Sequence, residues 1–256
     1  MIHHTAIIDP SAKIAENVSI GPFTVIGPHV EIEAGTWIGP HVVIQGPTKI
    51  GKDNKIFQFA SLGEAPQDKK YREEKTYLVI GDRNVIREFC TFNRGTAQDK
   101  STTKIGNDNL FMAYVHIAHD CVVGNNTIFA NNASLAGHVT VEDHAVLGGF
   151  SGVFQSCRVG AYSFSSMGSM IDKDVPPYVK VSGYYAKPFG LNSVGMKRHG
   201  FSDEALLILR RAYKTIYRKS LTVNEAINEL CKMVVDCAEV QPLIDFIKAS
   251  ERGIVR

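Results

Sequence analysis

From Ile2 onward a branched aliphatic residue recurs at every sixth position: Ile8, Ile14, Ile20, Ile26, Ile32, Ile38, Ile44, Ile50, Ile56 and Leu62 continue the file without a gap. An α-helix would scatter these positions around its circumference, and plain strand alternation would not hold turn residues in phase with them. Turn residues are in phase here, since Gly21-Pro22, Gly27-Pro28 and Gly39-Pro40 each follow a file member directly. Six residues therefore make one short strand and one turn. Three such units close a triangular coil of eighteen residues, and each coil buries its aliphatic residues against the next.

The file breaks and resumes. Ile80, Ile86 and Phe92 continue it after a polar stretch, and Ile105, Phe111, Ile117, Val123, Phe129, Leu135, Val141, Leu147, Val153, Val159 and Ile171 continue it after a second one, with Ser165 as the single polar member. Roughly nine coils rising about 4.8 Å each predict a prism on the order of 40 Å long. The interruptions, at about 65–77 and 95–103, are rich in Gln, Asp, Lys, Glu and Arg. They cannot be core, so they are expected as loops on a rigid scaffold, where function concentrates.

Charge and cysteines narrow the class. Residues 197–256 hold 11 Lys and Arg against 8 Asp and Glu, which leaves the repeat region slightly acidic within a chain of formal charge +2. That balance gives no ground for a nucleic-acid partner. Cys90, Cys121, Cys157, Cys231 and Cys237 are odd in number and show no paired spacing, which favours a reducing compartment over a disulfide framework. The repeat starts directly after Met1, with no apolar segment suited to a signal peptide or membrane insertion, so a cytoplasmic location is expected. A narrow prism with flat faces invites side-by-side packing around a three-fold axis, and a homotrimer is expected.

After Asp174-Val-Pro-Pro-Tyr178 the file stops, and past Arg198 the pattern turns helical. Ser202 can cap a helix carrying Ala205, Leu206, Leu209, Ala212, Tyr213 and Ile216, and Thr222 with Glu225 forms a capping box before a second. A third begins near Gln241-Pro242, since proline suits a first turn. The expected division is a repeat domain over 1–190 and a helical domain over 191–256. Arg210, Arg211, Lys214, Arg218 and Lys219 make either a solvated face or a docking surface for an acidic partner.

The chemistry is sought where the repeat carries residues it does not need. The segment His116-Ile-Ala-His119-Asp120-Cys puts two imidazoles and a carboxylate around one file residue. Residues eighteen apart stack, so His119 should lie over Gly137 and Gln155, and Asp120 over His138. An imidazole can take a hydroxyl proton, a glycine amide can face an oxyanion, and a carboxamide can position substrate.

These motifs, together with Ala130-Asn-Asn-Ala-Ser-Leu-Ala-Gly-His138-Val, the Asp174-Val-Pro-Pro-Tyr178 exit and the helical tail, resemble the UDP-N-acetylglucosamine O-acyltransferases that open lipid A biosynthesis. The likeness spans essentially the whole chain. It implies a mainly β fold, a left-handed parallel β-helix of hexapeptide repeats followed by a small α-helical domain, assembled as a trimer with sites between subunits. It also implies transfer of a 3-hydroxyacyl chain from acyl carrier protein to UDP-N-acetylglucosamine, with no cofactor and no metal. Under that resemblance His119 matches the general base and Gly137 the oxyanion amide. Gln67, Asp68 and Lys70 match a sugar-nucleotide contact motif, His116, His138 and Gln155 further substrate positions, and Asn192 and Arg198 the uridine end. The carboxylate that orients His119 stays open: strand alternation would aim Asp120 elsewhere, so Asp68 of a neighbouring chain competes with it.

Some positions depart from the family pattern. Phe154 and Tyr185 stand where many relatives have histidine, Val194 where a glutamate is common and His199 where a second arginine is. Met167 stacks over Gly149 and Asn131 at a place where long-chain relatives carry glycine, so it is expected to act as a ruler that favours a short, hydroxydecanoyl-like chain. The competing reading is a flexible side chain filling a gap. A rival function, a hexapeptide acetyltransferase using acetyl-CoA, would share the prism and the histidine but has little need of the first loop or the basic tail. Whether the acceptor presents a 3-hydroxyl or a 3-amino group is not legible in the sequence.

Overall fold

The computed structural model describes residues 1–256. Nearly every hexad forms a short strand and a turn, and the strands stack into three sheets whose neighbours run parallel. The first sheet has nine strands from Ile7–Ile8 to Met170–Ile171, and the second has eight from Lys13–Ile14 to Arg158–Val159. The third begins at Ser19–Ile20 and reaches ten strands with Val179–Ser182 and an antiparallel strand, Lys187–Leu191. Ile117 pairs with Leu135 and Leu135 with Val153, which is the eighteen-residue coil. File members such as Ile38, Ile56, Leu62, Ile117 and Leu135 are fully buried. Ser165 is buried as well and stays satisfied, because its Oγ pairs with Ser151 Oγ at 2.8 Å and accepts the Gly148 N–H at 3.0 Å.

The corners turn on left-handed residues. Asn17, Asp53, Asp120, Asn126 and His138 sit at φ of 60°, 54°, 59°, 56° and 64°, a conformation their short or polar side chains tolerate. Phe23, Phe59, Phe89 and Tyr114 adopt it too, at 57°, 63°, 58° and 65°. With His41 their rings form one ladder up the corner between the third and first sheets, at centroid spacings of 5.1, 5.4, 5.0 and 4.8 Å. Each stacked pair contributes about 0.5–1.5 kcal/mol, comparable to the roughly 1–2 kcal/mol that a left-handed residue costs. A buried polar ladder climbs the corner between the second and third sheets. Asn84 Nδ2 donates to Asn54 Oδ1 at 3.0 Å, Asn109 Nδ2 to Asn84 Oδ1 at 2.9 Å, and Thr127 Oγ1 to Asn109 Oδ1 at 2.7 Å.

The remaining corner, from first sheet to second, carries everything irregular. The first insertion leaves the strand Ser61–Glu64 and returns at Tyr77–Ile80, and the second leaves Thr91–Asn93 and returns at Thr102–Ile105. The aliphatic file stays aligned, with Leu62 paired with Phe92 and Phe92 with Ile117, and the one irregularity there is a bulge at Gly63 that sets Glu64 opposite Asn93. His119, Asp120 and His138 are turn residues of this same corner.

Four helices follow: α1 (Ser193–Arg198), α2 (Asp203–Arg218), α3 (Val223–Met233) and α4 (Gln241–Lys248). Ser202 Oγ accepts the Ala205 N–H at 3.1 Å to cap α2, the Thr222–Glu225 capping box opens α3, and a short 3-10 turn over Ala238–Val240 precedes α4. Helix α1, six residues long, is too short to show a helical period and is not expected from a pattern that turns helical only past Arg198. Leu206, Leu209, Leu230, Leu243 and Ile244 make a second core with Tyr178 and Met196. Asp174 ties the tail to the prism. Its carboxylate accepts the Arg158 N–H at 2.8 Å and the Ser250 hydroxyl at 2.7 Å. No helix is long and apolar enough to cross a membrane.

Candidate active site

His119 and Asp120 follow the strand His116–Ile117 at the loop-bearing corner. Strand alternation would point their side chains apart, and that expectation is corrected: Asp120 is the left-handed residue of the turn, where alternation does not hold. Its Oδ2 accepts from His119 Nδ1 at 2.9 Å, so within this chain Asp120 is the carboxylate on His119. With Nδ1 carrying the proton, Nε2 keeps its lone pair for a substrate hydroxyl. The His119 side chain is 13% exposed and Asp120 is fully buried.

Asp120 is held from behind by the second insertion. The Thr96 N–H lies 3.0 Å from both carboxylate oxygens and the Thr96 hydroxyl donates to Oδ2 at 2.6 Å. The Asp120 N–H in turn donates to Thr103 Oγ1 at 2.8 Å. Burial alone would push the carboxyl up, but the hydrogen bonds from His119 and from Thr96 together hold it below the usual carboxylate range.

Gly137 lies one coil above His119, as the stacking predicts. A Cβ there would stand 2.6 Å from His119 Cε1 and 2.8 Å from Nε2, so only glycine lets the imidazole occupy its place. The Gly137 N–H, like that of other first turn residues at this corner, has no partner within the chain. His138 comes next. Its ring meets that of His119 edge to face at 4.9 Å, and its Nδ1 donates to Asp99 Oδ2 at 2.6 Å. His116 sits on the outer face of the first sheet with Nδ1 2.7 Å from Thr91 Oγ1, and burial lowers its pKa, favouring the neutral ring.

An open, largely apolar groove of about 460 Å³ crosses that face, bordered by His116, Ala136, Gly152, Phe154, Gln155 and Met170. Met167 stands at the far corner of the same sheet, 75% exposed, with its Cε 3.5 Å from where a Cβ on Gly149 would be. His119, Asp120 and His138 each offer one metal-ligand atom within 4.8 Å of the others. Asp120 Oδ2 already accepts from His119 Nδ1 and from the Thr96 hydroxyl.

Other predicted residues lie apart. Gln67, Asp68 and Lys70 form no hydrogen bond to the histidine cluster. Asp68 instead closes its own turn, with Oδ1 accepting the Lys70 N–H at 2.9 Å. The Asn192 carboxamide is occupied locally: Oδ1 caps α1 by accepting the Gly195 N–H at 3.2 Å, and Nδ2 donates to the Tyr162 carbonyl at 3.0 Å. Arg198 is exposed, and His199 packs its ring 4.5 Å from that of His144. Thr96 and Asp99 escaped the sequence reading, which placed no chemistry in the second insertion. The signal was present in the offsets, since counting from Leu62 to Phe92 to Ile117 puts both insertions at the corner of His119.

The prism, its hexapeptide period and the corner imidazole over a glycine define the class: a left-handed parallel β-helix of the hexapeptide-repeat acyltransferases. A model of the bacterial transferase hexapeptide, six repeats, matches residues 102–137, and one for UDP N-acetylglucosamine O-acyltransferase, domain 2, matches 174–255. An acyl-[acyl-carrier-protein]–UDP-N-acetylglucosamine O-acyltransferase of Thiobacillus denitrificans is 63% identical over 255 residues, covering 100% of this chain and 99% of the relative. The protein of that name from Halorhodospira halophila is 59% identical over 255 residues, with the same coverage. The crystal structure of UDP-N-acetylglucosamine O-acyltransferase from Moraxella catarrhalis superposes with a TM-score of 0.98 at 51% identity, covering 100% of this chain and 99% of that one. The chain belongs to the UDP-N-acetylglucosamine O-acyltransferase family and is an acyltransferase.

Proposed function

We propose that this protein transfers a 3-hydroxyacyl chain from acyl carrier protein to the 3-position of UDP-N-acetylglucosamine, the first step of lipid A biosynthesis, in the cytoplasm. The observation that carries the mechanism is the His119–Asp120 pair seated against Gly137. His119 Nε2 removes the proton of the sugar 3-hydroxyl, and the oxygen attacks the thioester carbonyl directly. The resulting oxyanion faces the Gly137 amide. Collapse expels the carrier thiolate, which takes the proton back from His119, so ester and free thiol are the products and no covalent enzyme intermediate forms. Asp120 keeps His119 in the required tautomer and stabilises the imidazolium.

In this reading Gln67, Asp68 and Lys70 contact the sugar nucleotide with His138 and Gln155, and Asn192 and Arg198 lie at the uridine end. The apolar groove beside His116 takes the acyl chain, and Met167 limits its length to about that of hydroxydecanoyl. Because the first insertion does not reach the histidine cluster within one chain, the complete site is assigned to the cleft of a homotrimer. The test is turnover of UDP-N-acetylglucosamine, and of its 3-amino analogue, with mixed hydroxyacyl carriers, read by mass spectrometry. O-acylated product from the carrier thioester, none from acetyl-CoA, and a loss of at least about 10² in kcat for a folded His119→Ala are expected. Full activity in that variant would remove His119 from the chemistry.

A further inference from the structure

Residues 93–96, where the first-sheet strand runs into the second insertion, grip both insertions at once. Asn93 Nδ2 donates to the Ala65 carbonyl at 2.8 Å, the Arg94 N–H to Glu64 at 3.1 Å, and the Gly95 N–H to Tyr77 at 3.1 Å, so both ends of the first insertion are pinned. The Arg94 side chain reaches further. Its Nη1 donates to the carbonyls of Gly46 at 2.9 Å and Gly63 at 2.6 Å, two successive coils, while Nη2 donates to the Tyr71 hydroxyl at 3.2 Å. Tyr71 passes the contact on. Its hydroxyl donates to the Glu74 carbonyl at 2.9 Å, and its backbone N–H donates to the Asp68 carbonyl at 3.1 Å, closing the turn that displays Asp68 and Lys70.

We infer that Arg94 is a positioning residue that braces the first insertion for the sugar nucleotide, an inference that rests on the function proposed above. Without the brace, the exposed segment from Gln67 to Lys70 would have to be ordered when the ligand arrives, and that lost conformational freedom would be subtracted from binding. Thr96, two residues on, serves a different end by holding Asp120. Ligand positioning and base positioning thus hang on neighbouring residues but separate side chains. Arg94 touches no group of the histidine cluster, so its loss should act on KM and spare the chemical step. Lysine cannot replace it fully, because a single ammonium lacks the planar fork that meets Gly46, Gly63 and Tyr71 together.

The test compares full-length Arg94→Met, Arg94→Lys and Tyr71→Phe with the parent chain. Arg94→Met is expected to raise KM for UDP-N-acetylglucosamine about tenfold with kcat within about twofold. Tyr71→Phe, which removes the hydroxyl that accepts from the guanidinium and donates to the Glu74 carbonyl, should raise it about fivefold, and Arg94→Lys should fall between Arg94→Met and the parent. Trypsin should cut faster after Lys69, Lys70 and Arg72 in both Arg94→Met and Tyr71→Phe. If Arg94→Met does not fold, Tyr71→Phe decides alone. Unchanged KM and unchanged cleavage in the folded variants, or a fall confined to kcat, overturns the inference. A parent chain that fails to use the sugar nucleotide overturns the proposed function instead, while tryptic cleavage still reports on the brace.

Discussion

Gly137→Ala isolates the contact on which the mechanism depends. Its Cβ would be 2.6 Å from His119 Cε1 and 2.8 Å from Nε2, whereas carbon pairs settle at about 3.5–4.0 Å. The imidazole must therefore retreat by about 1 Å, which stretches the 2.9 Å bond to Asp120 and moves Nε2 away from the place proposed for the sugar hydroxyl. Misplacement of that size costs on the order of 10² in rate. Gly137 is not in the left-handed region, so alanine adds no backbone strain, and the amide N–H survives. Gly149→Ala provides the comparison, because its Cβ would meet Asn131 O at 3.3 Å and Met167 Cε at 3.5 Å, looser contacts than those at Gly137 and remote from the imidazole. Steady-state kinetics with saturating substrates and a thermal melt suffice. A roughly 10²-fold lower kcat in Gly137→Ala is expected, against little change in Gly149→Ala. A folded Gly137→Ala with parental kcat would show that the ring does not need its present seat and that the stacking of Gly137 on His119 has no part in catalysis.

Thr96→Ala deletes the 2.6 Å donor to Asp120, so its carboxyl should rise. A carboxyl held low in the folded state stabilises above its unfolded pKa and loses that contribution as pH falls through the folded one. Thr96→Ala should therefore unfold in acid at a higher pH than the parent, by circular dichroism, and an unchanged midpoint would dismiss the role given to Thr96. Met167→Gly should shift preference toward longer hydroxyacyl carriers in a competition assay, and an unaltered product distribution ends the ruler assignment. Burial pushes the Cys90 and Cys121 thiols up to about 12 and those of Cys157 and Cys237 up to about 11, which keeps them protonated at pH 8. Exposed Cys231 alone should then react rapidly with a thiol reagent in the native state. Fast release of a second equivalent would contradict the burial.

What was legible in the sequence was what repeats. The aliphatic file gave the coil, the coil gave the stacking of Gly137 on His119, and Ser202 and the Thr222–Glu225 pair gave two helix starts. Side chains whose partners obey no period stayed hidden. Thr96, Asp99 and Arg94 act from insertions whose paths no spacing specifies, and the Asn54–Asn84–Asn109 ladder is masked because the insertions change the offset between its members. The expectation about Asp120 failed for a local reason: strand alternation was applied to a corner residue. Asn and Asp at Asn17, Asp53, Asp108 and Asn126, each at the same place in its hexad, already marked that corner position as left-handed.

Both insertions leave the prism by one edge and rejoin it with the aliphatic file still aligned and a single bulge beside Leu62. Lengthening such an excursion costs little, about 0.6 kcal/mol for each doubling, and it displaces no neighbouring coil. The scaffold thereby separates two kinds of variation: the insertions can change in length and composition at the edge, while the imidazole and its glycine seat keep the positions that the eighteen-residue repeat sets.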